Sequence, residues 1–207
     1  MKPWLFDILA CPIDKHFPLK LYIFTYETEQ NEFESFINIY DKRDIIQIKK
    51  EKIIKILKEG ENQYIKDNII IEKNSIEVYL DLIISSINEL ENIFDKSHYD
   101  VSKKCYNLIK TRIKQKIFEF SRNIVIEKIE EIFPELYFIN KIKIEIEIDS
   151  GILLCEKCHR WFPIIQTIPQ MLPDEYRNAD KELEFLKNNK NLLDENFFHQ
   201  DLKPFNI

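Results

Sequence analysis

At 207 residues, 44% of them apolar and 32% charged, the chain is long enough for one large or two small hydrophobic cores. A net charge of −6 argues against a protein that holds nucleic acid by bulk charge. Only two glycines, Gly60 and Gly151, argue against glycine-rich phosphate loops. No apolar run reaches the length of a membrane span, and an acid and a cysteine come too early for a secretory leader. The four cysteines do not look like a disulfide framework, so a reducing, cytoplasmic setting is expected.

Residues 4–10 predict a short helical turn leading into Cys11-Pro12-Ile13-Asp14-Lys15-His16, a possible metal knuckle. Leu19–Phe24 alternates as a strand does. From about residue 30 the chain turns to long Ile- and Lys-rich segments with helical spacing. Asn74-Ser75-Ile76-Glu77 reads as a capping box, opening a helix with Ile76, Tyr79, Leu80, Ile83, Ile87, Leu90 and Phe94 on one face. A second helix is expected from Val101 to Ile132, with Cys105, Ile109, Ile113 and Ile117 along its inner stripe and Pro134 ending it. Lys141–Ile148 alternates strictly between charged residues and isoleucine, a strong strand signal. Asp149-Ser150-Gly151 is a turn, Ile152–Leu154 a strand, and Trp161–Ile165 the antiparallel return. One more helix is expected from Lys181 to about Lys190.

Between those last strands lies Cys155-Glu156-Lys157-Cys158. Two thiolates at this spacing grip one zinc ion while nearby backbone amides donate to the sulfurs. A redox pair is the alternative, but it calls for the start of a helix in an α/β fold, whereas these cysteines sit between strands. The N-terminal knuckle has a single cysteine. Asp14 stands where a second would be and His16 lies two residues on; either can supply the fourth bond, since carboxylate and imidazole both bind zinc. The plainer alternative is a decayed site held by packing, with Asp14 capping a turn and His16 at the surface. Cys105, on an apolar helical stripe, reads as a small core residue. The fold class expected is α+β: a zinc-ribbon-like antiparallel β domain built from both termini (1–29 plus 138–177), an inserted α-helical domain (30–137) and a C-terminal helix and tail (178–207).

His199-Gln200-Asp201-Leu202-Lys203-Pro204-Phe205-Asn206 matches a kinase catalytic loop, but with two glycines in the chain there is no glycine-rich loop to go with it. No other catalytic signature is present, so an enzyme is not expected. Ile164–Pro173 is apolar and interrupted by prolines, which block helix formation and self-pairing; such a segment suits docking onto another protein. The alternative has it fold back over the ribbon's own isoleucines. Trp161 and Phe162 face the same choice, one expected inside and the other on the outer face.

Leu9-Ala10-Cys11-Pro12, Phe17-Pro18-Leu19, the run Leu154–Ile164 and Ile168-Pro169-Gln170-Met171-Leu172-Pro173 together resemble one family. It is the small methyltransferase-activating subunit shared by archaea and eukaryotes, the "one-twelve" tRNA methyltransferase activator. The resemblance spans roughly residues 1–25 and 142–177. It implies a non-catalytic partner of class I S-adenosylmethionine-dependent methyltransferases, bound as heterodimers, that modify tRNA, rRNA or a translation release factor. S-adenosylmethionine would then sit only in the partner, and RNA would be met only through the complex. The resemblance further implies zinc ligands at Cys11, Cys155 and Cys158, with His16 or Asp14 as the fourth. It implies partner contacts through Ile168, Pro169, Met171, Leu172 and Pro173. The long insertion and the tail after residue 177 depart from the family. A stand-alone zinc ribbon that binds RNA is the competing function, against which the acidic total counts.

Overall fold

The computed structural model describes residues 1–60 and 62–206. In chain order its strands are β1 (Lys20–Tyr26), β2 (Lys55–Glu59), β3 (Asn62–Lys66), β4 (Asn74–Ser75), β5 (Ile93–Asp95), β6 (Ile148–Leu154), β7 (Trp161–Ile165) and β8 (Ile168–Pro169). The helices are α1 (Pro3–Phe6), α2 (Gln30–Lys42), α3 (Ile45–Glu51), α4 (Ile76–Leu90), α5 (Asp100–Leu108), α6 (Lys114–Arg122), α7 (Phe133–Asn140), α8 (Ala179–Asn188) and α9 (Glu195–Phe198). Two units emerge: Met1–Thr28, Asn92–Tyr99 and Glu147–Ile207 form one, and Glu29–Glu91 with Asp100–Ile146 form the other. The protein is a mixed α+β chain.

The first unit is organised by a five-stranded sheet in the order β5-β1-β6-β7-β8. β1 pairs antiparallel with β6 and parallel with β5, so strands from both ends of the chain and one from its middle meet. Leu21, Tyr22, Ile23 and Phe24 are all buried, so β1 is covered on both faces. Alternation sends Tyr22 and Phe24 to the face that also carries Ile152, Leu154 and Trp161. Gly151 lies opposite Ile23, and a Cβ there would collide with the Tyr22 carbonyl oxygen, so only glycine permits this close strand approach. The segment expected to be a separate tail packs onto this sheet as part of the same unit.

The second unit holds α2 to α7 and a three-stranded sheet, β2-β3-β4, where the sequence suggested helices alone. β2 is followed by Gly60 at φ 61, the glycine punctuation that marks a strand connection. Ser75 caps α4 by accepting from the Val78 amide at 3.4 Å. Its apolar face is buried as expected up to Leu90; Phe94 lies beyond the helix, in β5. The long helix expected after Val101 ends at Arg122, followed by a 3-10 turn over Ile126–Ile132. A π-helical turn at Ile109–Ile113 joins α5 to α6. Cys105, Ile109, Ile113 and Ile117 recur every four residues, which would drift round a 3.6-residue helix. The wider π turn absorbs the drift, and all four are fully buried.

Lys141–Glu145 is a π-helical continuation of α7, not a strand, and β6 begins only at Ile148. Ile142 and Ile146, both fully buried, are four residues apart and so share a face under either period. Tertiary pairing decides it: Lys141 bridges Glu51 and, one turn along, Glu145, each at 2.6 Å. Buried Asp67 ties the same unit together, accepting from Tyr79 Oη at 2.6 Å and Asn140 Nδ2 at 2.7 Å.

Candidate metal centre

Cys11 follows α1, the turn set up by Pro3 at a helix start, and Cys155 follows β6 directly. The two knuckles fold alike. The Cys11 amide donates to the His16 carbonyl at 3.0 Å and accepts, through its own carbonyl, the Lys15 amide at 2.9 Å. The Cys155 amide donates to the Arg160 carbonyl and its carbonyl accepts the His159 amide, both at 2.8 Å. Lys15 and His159, each four residues after its cysteine, take matching left-handed φ values of 59 and 57 degrees. Asp14 therefore stands at the structural position of Cys158.

The Sγ atoms of Cys11, Cys155 and Cys158 and a carboxylate oxygen of Asp14 all lie within 4.8 Å of one another. Cys11 Sγ is 3.6 Å from Cys158 Sγ, and Cys155 Sγ is 3.6 Å from Asp14 Oδ1. A tetrahedral zinc with bonds of about 2.3 Å to sulfur and about 2.0–2.2 Å to oxygen has edges of about 3.8 Å (S–S) and about 3.6 Å (S–O). Three thiols and a carboxylate at these separations fit such an ion. His16 is not part of the cluster; its backbone amide donates to Asp14 Oδ1 at 3.0 Å and orients that carboxylate. Between the two candidates left by the sequence, the carboxylate is the one brought to the thiols.

Burial pushes the Cys155 thiol up to about 12 and raises Cys11 as well. For Cys158 burial acts in the same sense but is outweighed by hydrogen bonds from the Arg160 backbone and guanidinium, so its thiol is lowered. Asp14 is held below the usual carboxylate range, the effect of burial being overcome by the His16 amide and the neighbouring thiols. Arg160 is itself anchored on Asp174 at 2.9–3.2 Å. Cys105 lies in α5, inside the other unit.

The remaining expected site residues divide. Trp161 and Phe162, expected to split between core and outer face, are both fully buried, because the sheet is covered on both faces. The indole N–H of Trp161 donates to the Phe205 carbonyl at 3.0 Å. The segment after them stays at the surface: Ile168 is 59% and Leu172 41% exposed, and Pro169, Met171 and Pro173 are half-buried. β8 sits at one end of the sheet order. The β7–β8 turn puts Gln166 and Thr167 at φ 49 and 66 degrees, a conformation normally left to glycine or asparagine. The sequence reading missed Trp4, Ile8, Ile13 and Phe17, all exposed around the first knuckle. Their signal was an apolar content beyond what a four-residue helix can bury.

A cleft of about 720 Å³ in the second unit is lined by Arg43, Arg112, Lys116, Glu119 and Glu135 among others, with no cysteine, serine or histidine. Arg43 is already engaged there, forked onto Glu135 at 2.8 and 3.2 Å. Among the described residues no helix is long and apolar enough to cross a membrane. The family model described as Trm112p-like protein matches residues 2–166. No curated protein and no solved structure matches the chain.

Proposed function

Because the chain belongs to the Trm112p-like family, whose membership implies a methyltransferase-activating subunit, we propose that it is a non-catalytic activator and stabiliser of class I S-adenosylmethionine-dependent methyltransferases. Its partners act on tRNA, rRNA and a translation release factor, each bound as a cytoplasmic heterodimer. The partner holds S-adenosylmethionine, and RNA is met through the complex. The observation that carries this reading is the exposed apolar segment Ile168–Pro173 beyond the β7–β8 turn. Two prolines keep it from extending the sheet far on its own, and Ile168 and Leu172 offer apolar surface that a partner can remove from water. Each Å² so covered favours the complex by about 25 cal/mol, and the partner gains stability by mass action.

The sheet with its two knuckles is read as a zinc-ribbon-like domain. Cys11, Asp14, Cys155 and Cys158 would hold zinc. A set of four protein ligands leaves no open position for substrate, so the ion's role is to tie the two ends of the chain together and add folding free energy. The His16 amide holds the Asp14 carboxylate in place, and hydrogen bonds from Arg160 favour the thiolate of Cys158.

Native mass spectrometry of the protein co-expressed with candidate class I methyltransferases tests this. A one-to-one heterodimer carrying one metal is expected, lost in Ile168→Asp/Leu172→Asp while the variant remains folded. Complexes unaffected by those substitutions would remove the segment from the interface.

A further inference from the structure

The sheet face formed by Tyr22, Phe24, Ile152, Leu154 and Trp161 lies wholly within the residues that the family model matches. Its cover does not. Leu186, Leu193, Phe197 and Leu202, all buried, come from the stretch beyond residue 166. The family accounts for an apolar face, and this chain supplies a lid for it from outside the family region. A contiguous apolar face of this size calls for a cover of some kind.

The form of the cover describes what the face accepts. α8 has ten residues and α9 four, capped by Asn178 and Asp194. Helices this short do not hold themselves in water, where about 12–15 residues are needed, so the face orders them. Phe197 meets Tyr22 edge-to-face at 5.5 Å, and Phe185 packs beside Phe24 at 6.1 Å. Leu186 sits one position on from Phe185, fully buried. The face thus takes short helical turns that present aromatic and leucine anchors.

The attachment is localised. At its root, the Arg177 guanidinium is buried between Glu182 and the Trp161 carbonyl, with its N–H donating to that carbonyl at 2.7 Å. At its far end, Lys203 bridges Arg160: the Lys203 amide donates to the His159 carbonyl at 3.0 Å, and the Trp161 amide to the Lys203 carbonyl at 3.2 Å. Between these points the cover is held by side-chain burial. A segment held this way opens as one cooperative piece while the sheet beneath keeps its own ladder hydrogen bonds.

We propose that this sheet face is a docking surface for a helical, aromatic-anchored segment of the catalytic partner, and that residues 178–206 are its built-in occupant, displaced on binding. The identity of the partner as a methyltransferase rests on the function proposed above. Displacement makes complex formation a competition between a tethered segment and a free one, so loosening the tether raises apparent affinity by the fraction of face set free.

Hydrogen exchange on the wild-type protein is the first test. The amides of Ala179–Phe198 are expected to exchange at least 10-fold faster than those of β1 and β6, and faster still with a captured methyltransferase present. Equal protection of cover and sheet, or a gain of protection in the cover on binding, would overturn the proposal. The second test uses full-length Leu186→Asp/Phe197→Asp, with the milder Phe197→Ala beside it. The expected variants bind one metal, unfold cooperatively, and take up a fluorescent synthetic peptide of residues 178–206 at least 10-fold more tightly than wild type. They also capture the methyltransferase at about 10-fold lower concentration. Loss of metal and of cooperative unfolding in both variants would make the cover constitutive core and end the proposal, as would a folded variant that ignores the peptide. A methyltransferase that binds wild type and variants alike refutes displacement but leaves the activating role standing. Absence of any methyltransferase from both, with the peptide still exchanging, refutes the activating role and with it this choice of partner.

Discussion

Replacing Cys155 by serine removes one thiol from the candidate metal cluster and leaves the backbone of the knuckle intact. Its sulfur lies 3.6 Å from Asp14 Oδ1, and the residue, directly after β6, is fully buried. Structural zinc sites bind with about 10–16 kcal/mol, so one ligand of four accounts for roughly 3–4 kcal/mol, or a 10²–10³-fold weaker dissociation constant. Competition titration against a chromophoric chelator at pH 7 measures it. Cys105→Ser is the control: that residue is equally buried but lies in the other unit, so stability should fall without any change in metal affinity. The pH dependence has a definite sign. Cys155, pushed up to about 12, and Cys11, also raised, are protonated in the metal-free protein near neutrality. Each bound ion then displaces at least two protons, and apparent affinity should rise about 100-fold per pH unit between pH 6 and 8. Cys155→Ser should reduce that slope by about one proton. Unchanged affinity in Cys155→Ser, or an equal loss in Cys105→Ser, would refute the assignment of the cluster.

Three further outcomes follow from the packing. Gly151→Ala should destabilise the first unit by about 1–3 kcal/mol, because its Cβ must push β1 and β6 apart at the Tyr22 carbonyl; urea unfolding measures it, and a neutral result would mean the strands yield. Thr167→Gly should raise Tm by about 2–4 °C, relieving a β-branched residue held at φ 66 degrees. Glu51 accepts from Lys141 at 2.6 Å and Tyr137 at 3.0 Å, and these bonds outweigh burial to lower its pKa. A lowered carboxylate stabilises fully above its unfolded value of about 4.3 and loses that contribution as pH falls through the folded value. Glu51→Gln should therefore cost about 1–2 kcal/mol at pH 7, discounted for its partial exposure, and progressively less below about pH 4.

The knuckles were legible because thiolate spacing is a local property: two intervening residues set Cys155 and Cys158 around one ion wherever the rest of the chain lies. α4 was legible for the same kind of reason, since its cap and its apolar period are both local to it; α8 was expected from Lys181 to about Lys190 and runs from Ala179 to Asn188. Asp14 against His16 was not, because the choice depends on which side chain turns toward cysteines at the other end of the chain. Lys141–Glu145 was misread because isoleucines four residues apart satisfy both periods, and only the partner Glu51 breaks the tie.

By itself, then, the sequence determined the three cysteines of the candidate metal cluster, the principal strands around them and the apolar stretch that follows. Tertiary structure alone decided that Trp161 and Phe162 lie inside, that a sheet interrupts the helical insertion, and that the C-terminal segment covers the body's apolar face. Spacing and period are short-range quantities carried by neighbouring residues. Which face meets water is a long-range one, fixed only when distant segments compete to cover the same surface.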